Sequence, residues 1–143
     1  MIKYNNTNKA YFAAGCFWGV ESAFRKIDGV ADVTVGYMGG RTENPTYEDV
    51  CRGNTGHAES VEVVFDPNEV SYESLLDAFW KMHDPTTLNK QGPDVGEQYR
   101  SAIFYINDNQ KDVAQKSKED LIGKGVRVVT EISKADKFYP AEE

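Results

Sequence analysis

The sequence is poor in the residues that staple, coordinate or span. Its 143 residues hold only two cysteines, Cys16 and Cys51, and two histidines, His57 and His83. That is too few for a disulfide framework, and the four show no zinc-finger spacing, so no metal is expected. No apolar run approaches the roughly 20 residues that a membrane-spanning helix needs. The opening stretch, Met1-Ile2-Lys3-Tyr4-Asn5-Asn6-Thr7-Asn8-Lys9, lacks the apolar segment of a signal peptide. A basic cluster is missing too: 16 lysines and arginines against 23 aspartates and glutamates give a net charge of -7. That balance disfavours binding to a nucleic-acid phosphate backbone. Internal repeats, low-complexity tracts and linkers are also absent. What remains is a chain long enough for one domain, 1–143, with 40% apolar and 27% charged residues, which excludes disorder. Two cysteines without a leader point to a reducing cytoplasm, where thiols do chemistry more often than they staple.

Against this background Gly15-Cys16-Phe17-Trp18-Gly19 stands out. It sets a cysteine between glycines and beside two large aromatics, where a strand passes into a helix. A thiol at a helix N-terminus meets unpaired N–H groups and the positive end of the helix dipole, and both favour the nucleophilic thiolate. A buried, inert cysteine followed by core aromatics is the alternative.

The hydrophobic pattern gives the rest of the framework. Ala10 to Ala14 is apolar on both parities, as in a central strand covered on both faces. Phe17, Val20, Phe24 and Ile27 make one helical stripe from about Cys16 to Ile27, ended by Asp28-Gly29. Ala31, Val33, Val35 and Tyr37 alternate with polar or small residues in a second strand, and Val61, Val63 and Phe65 in a third. Ser71 suits an N-cap for a helix carrying Leu75, Leu76, Phe79 and Met82. A strand over 100–106, a helix from about Asp108 with Val113, Ala114, Ser117 and Leu121 inward, and a strand over 126–132 complete the order. Strand-helix-strand twice, then helix and strand, predicts an α+β fold: a two-layer sandwich built on the ferredoxin-like split βαβ plait, with one helix and strand appended. Two connections, 38–56 and 84–98, are long, polar and rich in glycine and proline. Loops of that length are either functional or surface decoration.

Strand parity singles out a second group. Glu59 shares a face with Val61, Val63 and Phe65 if the strand runs back to it without a bulge. That directs a carboxyl toward apolar surroundings, which raise its pKa and let it donate a proton near neutrality. The alternative is a solvated carboxylate at the strand mouth. Asp94 in Gly92-Pro93-Asp94-Val95-Gly96 reads as a turn residue, and Tyr47 and Tyr99 read alone as amphipathic packing. His57 is a structural histidine or the base of a Cys–His dyad. His83 reads as a cap or surface residue. Cys51 is structural or a disulfide partner of Cys16, which sequence distance does not decide.

Taken in order, five segments resemble peptide methionine sulfoxide reductase A: Gly15-Cys16-Phe17-Trp18-Gly19; Gly36-Tyr37-Met38-Gly39-Gly40; Pro45-Thr46-Tyr47-Glu48-Asp49-Val50-Cys51; Thr55-Gly56-His57-Ala58-Glu59; and Asp94-Val95-Gly96-Glu97-Gln98-Tyr99-Arg100-Ser101. The resemblance runs from Ala10 to Glu142 and implies a single catalytic domain. It implies reduction of the S epimer of methionine sulfoxide, free or in oxidised proteins, which reverses methionine oxidation. By motif match Cys16 is the nucleophile, Glu59 the proton donor, and Tyr47, Asp94 and Tyr99 the groups around the departing oxygen or an ordered water. Phe17 and Trp18 cradle the substrate methyl. No bound cofactor is implied, only an external thiol reductant such as thioredoxin, glutaredoxin or glutathione, and the expected protein is a cytoplasmic monomer without membrane or nucleic-acid partners.

The sequence departs from the family pattern at its end. Many relatives carry a resolving cysteine in a C-terminal tail, whereas no cysteine follows Cys51 here. The expectation is a one-cysteine type whose sulfenic acid an external thiol resolves. Relatives with selenocysteine at the nucleophile position also occur. Two other classes share a reactive cysteine: a thiol peroxidase, which needs neither an acid nor a methyl-sized recess, and a non-catalytic binding module.

Overall fold

A computed structural model describes residues 8–53 and 55–141. The opening residues Met1–Thr7, Asn54 and Glu142-Glu143 lie outside them. The elements in chain order are β1 (Asn8–Ala14), α1 (Phe17–Arg25), β2 (Val30–Met38), α2 (Tyr47–Arg52), β3 (Ala58–Phe65), α3 (Tyr72–Lys81), β4 (Lys90–Gln91) and β5 (Asp94–Val95). A 3-10 turn (Glu97–Tyr99), β6 (Ser101–Tyr105), α4 (Asp108–Gly123), β7 (Glu131–Lys134) and β8 (Tyr139–Pro140) follow.

Six strands form one sheet in the order β7-β6-β1-β3-β2-β8. Its inner four are antiparallel neighbours, β6 beside β1, β1 beside β3 and β3 beside β2. This is the split βαβ plait, and α4 carries the chain on to β7, parallel to β6. The layered α+β fold is the one expected. Phe12, Val61, Val63 and Phe65 meet Phe24 of α1 and Leu75, Leu76 and Phe79 of α3 in the main core. The opposite face of the sheet buries Ala13, Met38, Ala58, Ala102 and Phe104 under Tyr11 and Phe138. Thus β1 is covered on both sides, as its unbroken apolar run requires.

Four local features differ from the sequence expectation, each for a nameable reason. The first long connection contains α2, fixed by a capping box in which Thr46 and Asp49 bond each other's backbone amides. The second contains the β4–β5 hairpin and the 3-10 turn. The last long strand starts at Glu131, not at Val126, because earlier amides are used elsewhere: that of Val126 donates to the Leu121 carbonyl, and that of Val129 to Pro85. Ala31 is exposed, because the pairing of β2 with β3 shifts register between Val30 and Asp32. The short β8 adds itself to the outer edge of β2, and a side chain at Gly36 would strike the Tyr139 carbonyl.

One core side chain is poorly served by its surroundings. Tyr72, stacked on Phe12 at 6.0 Å, buries a hydroxyl that has no hydrogen-bond partner among the described residues. A lone buried hydroxyl is destabilising. Replacing it as Tyr72→Phe is expected to raise the stability to urea by on the order of 1 kcal/mol with an unchanged m-value. A lower unfolding midpoint would show that the hydroxyl is satisfied.

Candidate active site

Because β1 and β2 run one way and β3 and β6 the other, one end of the sheet gathers four strand ends. The β1–α1 turn and both long connections open onto it. Gly15 makes the turn with φ +103°, a conformation that favours glycine, and its Cα approaches Gln91 so closely that a Cβ there would lie 3.0 Å from that side chain. Cys16 then occupies the N-cap of α1, is exposed, and makes no side-chain cap bond. It borders a cleft of about 270 Å³ shared with Gly19, Val20, His83 and Gln91. A larger hollow of about 420 Å³, lined by Gly39, His57, Phe104 and Tyr139, includes neither Cys16 nor Glu59.

The first amide of α1 provides the central link. The Phe17 N–H donates to Glu59 Oε1 at 3.2 Å. Strand β3 is regular from Ala58 to Phe65, so Glu59 does share the helix-facing side with Val61 and Val63, opposite Tyr37 on β2. The residue is only 2% exposed. Burial pushes the carboxyl from its ordinary 4.5 up to about 7, and the charge of Asp94 adds to that; the bonds from Phe17 and Gln98 act the other way. Desolvation outweighs two donors, so the acid is half protonated near neutrality.

Around this pair the loops bring the remaining candidates. Tyr47 heads α2, half exposed, and its phenol is pushed up to about 12, first by a hydrogen bond to Cys51 one helical turn on and then by the charge that thiol can carry. Tyr99 ends the 3-10 turn, where burial and then the Glu59 charge raise its phenol. Asp94 begins β5, close enough that its charge is felt by both Glu59 and Tyr99. The hairpin that carries it is strapped down by Gln91, which accepts from the Asp84 amide at 3.0 Å and donates to the Asp84 carbonyl and to Thr87 Oγ1. Phe17 is fully buried between Tyr37 and the indole of Trp18, which meets it edge-on at 5.1 Å and is 58% exposed. The two aromatics thus offer a fixed floor and an open wall.

The histidines and the second cysteine are now placed. His57 Nδ1 accepts from the Gly40 amide at 3.0 Å and Nε2 donates to the Thr42 carbonyl at 2.6 Å, a tautomer assigned from these partners. With both nitrogens occupied it latches the first connection to β3 and serves no Cys–His dyad. His83 caps α3, bonding the Phe79 carbonyl and Ser101 Oγ, both at 2.7 Å. Cys16 and Cys51 are both free thiols. Sequence reasoning missed Gln98, which is buried among these groups with its Nε2 3.9 Å from Cys51 Sγ. The only available signal was its place directly before Tyr99, which does not reveal that a loop amide is buried.

Comparison with known proteins identifies the family. The family model described as peptide methionine sulfoxide reductase matches residues 8–143. A relative from Methanothermobacter thermautotrophicus, peptide methionine sulfoxide reductase MsrA, is 62% identical over 100% of this chain and 86% of its own length. The crystal structure of reduced Mxr1 from Saccharomyces cerevisiae superposes with a TM-score of 0.93 at 38% identity, covering 100% of this chain and 85% of that one. Mxr1 in complex with Trx2 superposes at 0.74 with 30% identity, covering 99% and 87%. Matched over almost its whole length by the family model and by such relatives, the chain belongs to the peptide methionine sulfoxide reductase A family, oxidoreductases that reduce methionine sulfoxide.

Proposed function

We propose that residues 1–143 form a single catalytic domain that reduces the S epimer of methionine sulfoxide, free or in oxidised proteins, with Cys16 as nucleophile and Glu59 as general acid. One observation carries this reading: a buried carboxyl titrating at about 7 accepts a bond from the amide directly after Cys16. Thiolate attack on a sulfoxide is poor while its oxygen departs as an oxyanion. A neutral acid at the site removes that obstacle by giving up its proton, and phenols add hydrogen bonds. The first half-reaction consumes the thiolate, the sulfoxide and the Glu59 proton. It yields methionine and a Cys16 sulfenic acid, with Glu59 left as carboxylate.

Tyr47 and Tyr99 hold the oxygen, and Asp94 helps to hold it or an ordered water while raising the Glu59 pKa. Phe17 and Trp18 receive the methyl group. Only one epimer places methyl on the aromatics and oxygen on the donors together, which is the basis of the stereochemical choice. The sulfenic acid then reacts with an external thiol, losing water and forming a mixed disulfide. A second thiol releases Cys16 and leaves the reductant as a disulfide. The yeast relative solved with Trx2 supports a thioredoxin-class reductant, with glutaredoxin and glutathione as alternatives of the same chemistry. No described helix is long and apolar enough to cross a membrane, and a cytoplasmic monomer fits the reading.

The pH dependence has a fixed sign. The reacting form needs Glu59 protonated, so the single-turnover rate is expected to fall about tenfold per pH unit above a limb near 7. Glu59→Gln should remove that limb and slow the step by about 10²–10⁴; an unchanged rate removes Glu59 from the acid role. Mass spectrometry after mixing with each epimer separately should show Cys16 gaining one oxygen from the S form only, and nothing in Cys16→Ser. Oxidation by both epimers alike would overturn the recess. Finally, Cys51→Ser should keep multiple turnover with an external thiol. Loss of cycling after one normal turnover would make Cys51 the resolving thiol instead.

A further inference from the structure

Arg100 lies between the 3-10 turn and β6, and its side chain is only 14% exposed. Acceptors from three separate segments occupy its guanidinium. Nε donates to Glu131 Oε1 of β7 at 3.0 Å, Nη1 to the Glu97 carbonyl at 3.0 Å and Nη2 to the Gly39 carbonyl at 3.3 Å. Glu131 is held in turn, because its Oε2 accepts from Ser133 Oγ at 2.6 Å. The approach to Gly39 is close. That residue has φ +87°, and a Cβ there would lie 3.0 Å from Nη2 and 2.7 Å from the Phe104 ring.

The two carbonyls belong to the two long connections. Gly39 begins the one that carries Tyr47, and Glu97 begins the turn that ends in Tyr99. His57 already latches the first connection to β3. The turn packs against β3, the strand of Glu59, and hangs from the hairpin by the Gly96 amide on the Asn89 carbonyl at 2.9 Å. Inside it the Tyr99 amide donates to the Gly96 carbonyl at 3.0 Å and the Arg100 amide to the Glu97 carbonyl at 3.2 Å. So short a 3-10 piece has little internal hold, and its placement comes from outside. A guanidinium suits that task, since its donors form a rigid planar fork with set directions. A lysine ammonium would keep the charge beside Glu131, but as a point donor on a flexible stem.

We propose that Arg100 is a positioning residue for the reduction: its guanidinium clamps the turn that ends in Tyr99 to the start of the first connection and to β7, which sets the turn on β3 and with it the direction of the Tyr99 phenol. This rests on the role given to Tyr99 above, that of holding the sulfoxide oxygen. The bonds of Arg100 go to Glu131, Glu97 and Gly39, so its effect passes through Tyr99 and not through contact with the reacting atoms. A donor to a developing oxyanion is most effective when it is aimed beforehand and needs no reorganisation as charge builds up. A turn free to rock on β3 would keep its phenol and lose that aim.

The test measures single-turnover oxidation of Cys16 over a range of methionine sulfoxide concentrations, for the parent, Arg100→Lys and Arg100→Met, each alone and combined with Tyr99→Phe. The lysine keeps a charge against Glu131 should the methionine fail to fold. In Arg100→Lys the saturating rate is expected to fall about tenfold, less than the roughly 10²–10³ for loss of a direct oxyanion donor. The half-saturating concentration should hold within about twofold, because what is lost acts in the transition state. With Tyr99→Phe in place, the further loss from Arg100→Lys should shrink to about twofold, since the phenol it aims has gone. Glu131→Gln removes the charge partner but neither carbonyl bond, and should keep the saturating rate within about twofold of the parent's. An equal loss with and without the Tyr99 hydroxyl, or a loss in Glu131→Gln as large as in Arg100→Lys, would reduce Arg100 to general support of the fold and overturn the positioning role. A rate like the parent's in both Arg100 variants would overturn it too. Tyr99→Phe alone separates the two ideas: an unchanged rate sinks the role of Tyr99, whereas a slowed rate with an additive Arg100 effect sinks only the clamp.

Discussion

The hydrogen bond from the Phe17 amide to Glu59 is the contact on which the site depends. It ties the first turn of α1, and with it Cys16, to a carboxyl on the middle of the sheet. The bond has two opposed consequences. An N–H donor favours the charged carboxylate, while the burial that brings the carboxyl within reach favours the neutral acid. Burial prevails, and Glu59 titrates at about 7. Had the donors prevailed, the carboxyl would be ionised throughout the physiological range and could offer no proton. Had burial acted alone, the acid would be weaker still and would hold its proton during attack. The arrangement therefore works by balance, and Asp94 and Gln98 are the groups on either side of it.

Topology explains why such different parts of the chain meet there. In the split plait β3 lies between the parallel pair β1 and β2, so the amino end of β3 adjoins the turn that leaves β1. A strand without a bulge then fixes which residues face the helices, and Glu59 is one of them. The two long connections must return to the same end because each leads into a strand that begins there, β3 in one case and β6 in the other. Loops on a rigid sheet can supply polar groups without disturbing the core. Their own geometry is nonetheless tightly determined. The Thr46–Asp49 capping box sets α2, and the Gln91 strap sets the hairpin.

Periodicity revealed the framework and the buried carboxyl because both are properties of regular elements. The stripe of Phe17, Val20 and Phe24 and the alternation of Val61, Val63 and Phe65 are consequences of helix and strand geometry that any sequence must display. Cys16 was legible as a thiol at a strand–helix junction. The roles proposed around the oxygen were not, because Tyr47, Asp94 and Tyr99 lie in segments with no period, and only the resemblance of ordered motifs drew them together. The capping box of α2 was present as Thr46-Tyr47-Glu48-Asp49 and marks a helix start once aspartate is allowed at its third position. The two-residue strands β4, β5 and β8 leave no pattern to read. Gln98 was invisible for another reason: burial of a loop side chain depends on what folds over it, and neighbouring letters do not record that.

The balance at Glu59 also opposes the stability of the fold. In the folded protein the carboxyl binds its proton up to about 7, against an ordinary 4.5. Between those values the folded state holds more protons than the unfolded chain, so stability falls as pH rises through the window. Above it the penalty for a buried carboxylate is fully present. In the proposed mechanism the enzyme works at the edge of the range where its acid strains the core, because the same desolvation creates both effects. That strain falls on β3, which pairs with β2 from Ala58 to Phe65 and with β1 from Val61 to Phe65, and which the main aromatic core faces. A general acid of this kind needs a site dry enough to raise its pKa and a scaffold stable enough to absorb the ionised form, and the inner strand of the sheet offers both.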